Sequence, residues 1–223
     1  MQVNTNIRKL CVLAMMSALA FILAAHARVP MMQIPGGPML RYDPKDVVIA
    51  IAGFIYGPMA AFAIAVVVSF VQMITVSLTQ YIGFIMNVIS STAFCCMAAF
   101  IYKKHPTIKG AAIGLAVGVI FATAVMMLWN YIITPIHLGA PRAAVVPLLM
   151  PIFLPFNLIG NSINAVLTVL LFKYVRLTLQ AMCMMPTVED TAGSGRINKG
   201  LIAAVIFIVL TCVLWVLIFL GVL

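Results

Sequence analysis

Charge is scarce in this chain, and acidic charge scarcer still. Of 223 residues, 13 are basic and 4 acidic, and no carboxylate lies in the middle of an apolar run. Proton and sodium relays within membranes ordinarily use buried carboxylates, so an ion-driven pathway is disfavoured. No Walker A motif, HExxH pair or nucleophile elbow occurs, which leaves the chain without an energy source or a hydrolytic site of its own. Inverted repeats of the kind that build secondary transporters are not visible either. The five cysteines, Cys11, Cys95, Cys96, Cys183 and Cys212, have no metal-ligand spacing to histidine and read as small packing residues. His26, His105 and His137 stand at run ends or in loops, where an interfacial position is favoured over catalysis. No catalytic residue, metal or cofactor is expected.

Apolar length, by contrast, is abundant. Runs cover Leu10–Ala27, Val47–Leu78, Ile82–Tyr102, Gly110–Tyr131, Pro151–Tyr174 and Leu201–Leu223. A bilayer core about 30 Å thick takes about 20 such residues per helix. The runs are continuous rather than alternating, which favours helices over a strand barrel. The first is not an obvious cleaved signal: Arg8 and Lys9 precede it, but it continues into Ala25-His26-Ala27-Arg28 without a clean cleavage context. The second has 32 residues, roughly 48 Å as a helix and too long for one ordinary span. Gly57-Pro58 offers a break, predicting a short span over Val47–Tyr56 and a full one over Met59–Leu78.

The chain is therefore read as an all-α polytopic membrane protein. Residues 1–177 form a six-span binding domain, 178–199 a polar cytoplasmic linker, and 200–223 an extra C-terminal transmembrane helix that offers almost no polarity beyond Thr211 and Cys212. The net charge of +9 would suggest nucleic acid in a soluble protein, but here the basic residues flank spans and topology accounts for them. Arg8, Lys9, Lys103, Lys104, Lys109, Lys173, Arg176, Arg196 and Lys199 can share the cytoplasmic side, which places the N-terminus there. Arg28, Arg41, Lys45 and Arg142 then lie outside, beside Asp43 and Asp46.

The intramembrane polar groups are neutral. Asn157, Asn161 and Asn164 stand at i, i+4 and i+7, on one helix face, and Thr168 continues the stripe. Gln72, Thr75 and Thr79 share a face of the third span, Asn87 and Ser91 one of the fourth, and Asn130 closes the fifth between Trp129 and Tyr131. These groups gather near the turn at Gln80-Tyr81 and the expected loop Thr134–Met150, both on one side of the membrane. Tyr81, Phe84, Phe153 and Phe156 accompany them. Interhelical hydrogen bonding, at about 0.6 kcal/mol per contact, accounts for such residues singly. Three carboxamides on one face exceed what packing needs, and unsatisfied ones are costly in hydrocarbon. The set suits an uncharged polar ligand. Between the first two spans, Val29–Asp46 carries Pro30, Pro35, Gly36, Gly37, Pro38 and Pro44, and is long enough to fold over such a site. Small residues recur at Gly110, Gly114, Gly118 and Ala122, at Ala14 and Ala18, and at Ala20 and Ala24, where helices can approach closely.

Several segments together carry a family resemblance. They are Tyr42-Asp43-Pro44-Lys45-Asp46-Val47, Ala52-Gly53-Phe54-Ile55-Tyr56-Gly57-Pro58, Ile85-Met86-Asn87, Ile101-Tyr102-Lys103-Lys104, Trp129-Asn130-Tyr131 and Leu154-Pro155-Phe156-Asn157-Leu158-Ile159. In their order and spacing, residues from about 5 to 177 resemble the substrate-binding S component of energy-coupling factor (ECF) vitamin transporters, most closely the riboflavin-specific members. The resemblance implies an outward pocket capped by the first loop and a substrate delivered by toppling of the subunit in the cell membrane. The implied partners are an ECF transmembrane coupling subunit and two cytoplasmic ATPases, besides the lipid bilayer; no nucleic acid is expected. Ala14 and Ala18 match the family's usual docking alanines, and Gly36, Gly37, Tyr42 and Asp43 fall in the gating loop. Asn130, Asn157, Asn161 and Asn164 are the expected ligand hydrogen-bonders, with Asn87 and Gln72 beside them, and Trp129, Tyr131 and Phe84 are expected to pack a flavin ring. The chain departs from the family at Gly160, where members often carry a lysine, and at Phe84, where some carry an acid, which implies an altered pocket. An S component for a different small neutral molecule is the nearest alternative. An intramembrane enzyme is a more distant one, opposed by the lack of an embedded carboxylate.

Overall fold

The computed structural model describes residues 5–76, 80–139 and 141–181; Thr79, the linker beyond residue 181 and the expected seventh span lie outside them. The chain runs through α1 (Thr5–His26), a β-hairpin of β1 (Val29–Gln33) and β2 (Met39–Tyr42), α2 (Lys45–Tyr56), α3 (Pro58–Thr75), α4 (Gln80–Lys104) and α5 (Ile108–Leu138). A short α6 (Arg142–Leu148) then passes through one π-helical turn (Leu149–Phe153) into α7 (Leu154–Ala181), which continues past the expected boundary at residue 177. Five stretches, Lys9–His26, Pro58–Thr75, Tyr81–Lys104, Ile108–Leu138 and Arg142–Val175, are long and apolar enough to cross a membrane. With α2 they make six helical segments.

The break between α2 and α3 falls at Gly57-Pro58. Gly57 has φ 93°, a conformation that disfavours side chains, and its N–H closes α2 on the Gly53 carbonyl at 2.8 Å. Pro58 opens α3, where a missing N–H leaves nothing unpaired. At 12 residues, α2 extends only about 18 Å. Every residue from Lys45 to Phe54 is buried, so α2 is an apolar helix surrounded by others. Its Phe54 ring packs on Tyr102 of α4 and Phe172 of α7, each at 4.8 Å between centroids. Ala20 and Ala24 of α1 are fully buried, whereas Ala14 and Ala18 are exposed.

Small residues set the closest approach, between α4 and α5. A Cβ at Gly114 would stand 2.7 Å from the Ala98 carbonyl oxygen, and one at Gly118 would stand 2.9 Å from that of Phe94. Both are backbone atoms and cannot swing aside, so only glycine permits this contact.

The first loop forms a two-stranded antiparallel hairpin, with Val29 opposite Tyr42 and Gln33 opposite Met39, one small β element in the chain read as all-α. Clustered prolines and glycines in the sequence mark its turn, where Gly36 has φ 70° and the Gly37 N–H bonds the Ile34 carbonyl at 2.9 Å. The long loop expected over Thr134–Met150 is largely helical. Helix α5 runs on to Leu138 and closes on the left-handed Gly139, while α6 starts directly after Pro141. Helix continues through three prolines here: Pro135 in the last turn of α5, Pro147 in α6 and Pro151 in the π-helical turn.

Replacing Gly114 with valine should separate α4 from α5 and destabilise the protein by about 1–3 kcal/mol, the usual cost of overpacking. Thermal unfolding in detergent measures it, and an unchanged Tm would mean the helices do not meet at this glycine.

Candidate functional site

At the hairpin end of the bundle a cavity of about 310 Å³ opens between the hairpin, the start of α2, the α3–α4 junction, the end of α5 and the start of α7. Helical spacing builds its walls. On α7, Asn157, Gly160, Asn161 and Asn164 follow one face; on α5, Met126, Asn130, Thr134 and His137 do so. Met86, Asn87 and Ser90 come from α4, Phe153 and Phe156 from the entrance to α7, and Ile34 and residues 38–42 from the hairpin above.

The carboxamides differ in how far the protein satisfies them. Asn130 donates to the Met126 carbonyl at 2.7 Å and accepts from Thr134 Oγ1 at 3.2 Å. Asn157 donates to the Phe153 carbonyl at 2.7 Å, and its Oδ1 has no protein donor among the described residues. Asn161 is 5% exposed and has no hydrogen bond to any described residue. The free groups of Asn157 and Asn161 are not sealed in the protein but stand on the cavity lining, where they offer unfilled hydrogen-bonding capacity; the sealed, unpartnered amide oxygen is Gln72 Oε1. Asn164 is engaged differently: its Oδ1 accepts from the Tyr42 hydroxyl at 2.7 Å and its Nδ2 donates to the Asp43 carbonyl at 3.4 Å. It ties the hairpin to α7.

Beside the amides lies an ionic cluster. The Asp43 carboxylate receives Lys45 Nζ at 3.1 Å, Gln72 Nε2 at 2.9 Å and Arg28 Nε at 3.5 Å. Lys45 also donates to Asn87 Oδ1 at 3.2 Å, and Asp46 accepts from Ser91. Burial raises the Asp43 carboxyl, but the charge of Lys45, the Gln72 amide and the charge of Arg28 outweigh it and hold it below the usual value. Burial pushes the Tyr42 phenol far upward, with Asp46 and Asp43 adding to the effect, so it remains a protonated donor to Asn164.

Of the residues singled out in the sequence, Asn87, Asn130, Asn157, Asn161, Asn164, Tyr42 and Asp43 all line the cavity. Gln72 lies behind the wall, fully buried on Asp43. Gly36 and Gly37 form the hairpin turn; a Cβ on Gly37 would meet the Leu138 side chain at 2.9 Å, so the turn seats against the end of α5. Trp129, Tyr131 and Phe84 stand off the lining. Trp129 and Tyr131 are one residue either side of Asn130, and adjacent helix positions cannot share a face. Tyr131 lies under the Arg142 guanidinium at 5.8 Å, and Phe84 packs edge-on to Phe70 at 6.3 Å. The aromatics that do line the cavity are Phe153 and Phe156, with Tyr42 above. Sequence reasoning placed Lys45 and Asp46 among solvated loop charges; they are 2% and 6% exposed in the first turn of α2. Their signal was position, charges directly before an apolar run.

The structure is a helical membrane bundle with a cavity under a hairpin, lined by amides among apolar side chains. Residues 8–172 match the family model described as ECF transporter, substrate-specific component. The chain is 32% identical over 177 residues to the riboflavin transporter FmnP of Bacillus subtilis, covering 75% of this chain and 91% of that one. It is 26% identical over 172 residues to the riboflavin transporter RibU of Staphylococcus aureus, covering 74% and 89%. A solved S component of a bacterial ECF transporter superposes with a TM-score of 0.66 at 25% identity, covering 79% of this chain and 99% of that one. The chain belongs to the family of ECF transporter substrate-specific components. It is thus a multi-pass membrane transport subunit and not an enzyme, it works with an ECF module, and its ligand is a small molecule.

The Asp43 cluster has a pH signature. A carboxyl held below its unfolded value stabilises the fold fully above the ordinary carboxylate range, near pH 4, and that stability is lost as pH falls through the lowered value. Asp43→Asn should cost about 3–5 kcal/mol at neutral pH by stranding buried cations, and should flatten the acid limb of Tm against pH. Superimposable wild-type and variant profiles would remove Asp43 from the cluster.

Proposed function

We propose that the cavity binds riboflavin or a close flavin analogue from the outer side of the cell membrane. The observation that carries this reading is the convergence of Asn130, Asn157 and Asn161 on one cavity, two of them with unfilled hydrogen-bonding groups. A neutral tricyclic ring with a polyol chain needs amides and hydroxyls spread along an apolar slot, and a pocket with a few convergent polar groups suits it. Relatives at 32% and 26% identity are riboflavin transporters, which favours flavin among neutral ligands. In this reading Asn130, Asn157 and Asn161 hydrogen-bond the ligand, Phe153 and Phe156 pack its ring, and Asn164 anchors the lid through Tyr42. Asn87 stands on the wall and holds Lys45, and Gln72 supports Asp43 from behind it. The N-terminus is cytoplasmic, and the exposed Ala14 and Ala18 on α1 dock the transmembrane coupling subunit. Two cytoplasmic ATPases supply energy, and the subunit topples to release its ligand.

A different small neutral ligand is the second reading. Gly160 favours it: it lines the cavity, and a Cβ there would meet only Tyr42 Cδ2 at 3.7 Å. Room is left that a larger or differently substituted ligand can fill.

Protein purified from a flavin-producing host should be yellow and release close to one flavin per chain on denaturation. Asn157→Ala should weaken riboflavin binding about tenfold, the equivalent of one hydrogen bond. A colourless protein that also fails to quench riboflavin fluorescence would turn the assignment to the second reading.

A further inference from the structure

Lys45 is the least expected residue in the cavity wall. It is 2% exposed, in the first turn of the most buried helix. Removing an ammonium from water is expensive unless its donors are filled. Lys45 Nζ has three N–H donors, and among the described residues it has two acceptors, Asp43 Oδ2 at 3.1 Å and Asn87 Oδ1 at 3.2 Å. Asp43 and Asn87 arrive from different elements, the end of the hairpin and α4, so the ammonium is fixed from two sides and one donor is unassigned.

The surrounding charge identifies what that donor can meet. Arg28 and Lys45 are balanced by Asp43 and Asp46 within the cluster. The remaining cation on the lining, Arg41, is exposed on the hairpin outside this cluster, so beside Lys45 the site presents one directed, charge-assisted donor rather than a net charge. Its complement is an uncharged, strongly polarised oxygen such as a ring carbonyl.

We propose that Lys45 is a ligand-binding residue whose third N–H donates to a ring carbonyl oxygen of the bound flavin. This rests on the flavin reading above and adds to it a residue and a ligand atom. Asp43 and Asn87 are positioning residues for it: they hold the ammonium and do not themselves recognise the ring.

The test pairs changes in protein and ligand. Riboflavin, 2-thioriboflavin and 4-thioriboflavin are competed for purified wild type, Lys45→Met and Lys45→Gln in detergent. A thiocarbonyl is the poorer acceptor, so wild type should prefer riboflavin over one thio analogue by about tenfold or more. Lys45→Met should lower riboflavin affinity by about 10- to 100-fold, the range for a charge-assisted bond, and should erase that preference. Should Lys45→Met not fold, Lys45→Gln, which keeps a donor toward Asp43, should show the same narrowing of preference. A purely structural lysine would change affinity for all three ligands equally. Wild type that binds all three alike, or a folded variant that keeps the full preference, overturns the assignment of Lys45 alone. Wild type that binds no flavin overturns the flavin reading and this assignment with it.

Discussion

Four parts of the chain meet at one carboxylate. Asp43 accepts from Arg28 before the hairpin, from Lys45 at the head of α2 and from Gln72 of α3, and through Lys45 it reaches Asn87 of α4. Each partner is buried or nearly so, and neither the acid nor the cations would be tolerated there alone. The pairing therefore specifies geometry: Asp43 and Lys45 pair locally, but hairpin, α2, α3 and α4 must be assembled together for the cluster to gain all its partners. The cavity lies against this cluster, and its wall near α2 exists only when the ions are in register.

The shortness of α2 is the complementary constraint. A helix of 12 residues cannot cross a bilayer, so the bundle around it is left with a space at its N-terminal end. Residues of that end, Lys45 and Asp46, face the space, and the hairpin covers it. Farther along the bundle, Gly114 and Gly118 bring α4 and α5 into backbone contact. The cavity thus forms where one helix stops.

The hairpin is joined to the amide-bearing face of α7 by Tyr42. Its hydroxyl, kept protonated by burial, donates to Asn164 on the same stripe of α7 that carries Asn157 and Asn161. The next residue, Asp43, is the centre of the ionic cluster, so the contact of the hairpin with α7 and the burial of the charges rest on adjacent residues.

The span architecture was legible in the sequence because bilayer thickness imposes length, and because Gly57-Pro58 can only break a helix so long. The stripe of Asn157, Asn161 and Asn164 was legible because a helix of 3.6 residues per turn puts those positions on one face whatever surrounds it. What one helix cannot encode is how it is rotated against its neighbours. Trp129 and Tyr131 flank a cavity residue yet face elsewhere, and Asn164 points at the cavity but is bonded to the lid. Lys45 and Asp46 looked like solvated flanking charges, because burial is a property of what packs around them: Asn87 and Ser91 lie 42 and 45 residues away along the chain. The sequence by itself determined the membrane class, the break at Gly57-Pro58 and the face on which the amides stand, since these follow from local periodicity and composition. Only the tertiary structure decided which amides keep free groups, which charges are buried and where the hairpin closes, since each depends on partners brought from distant segments.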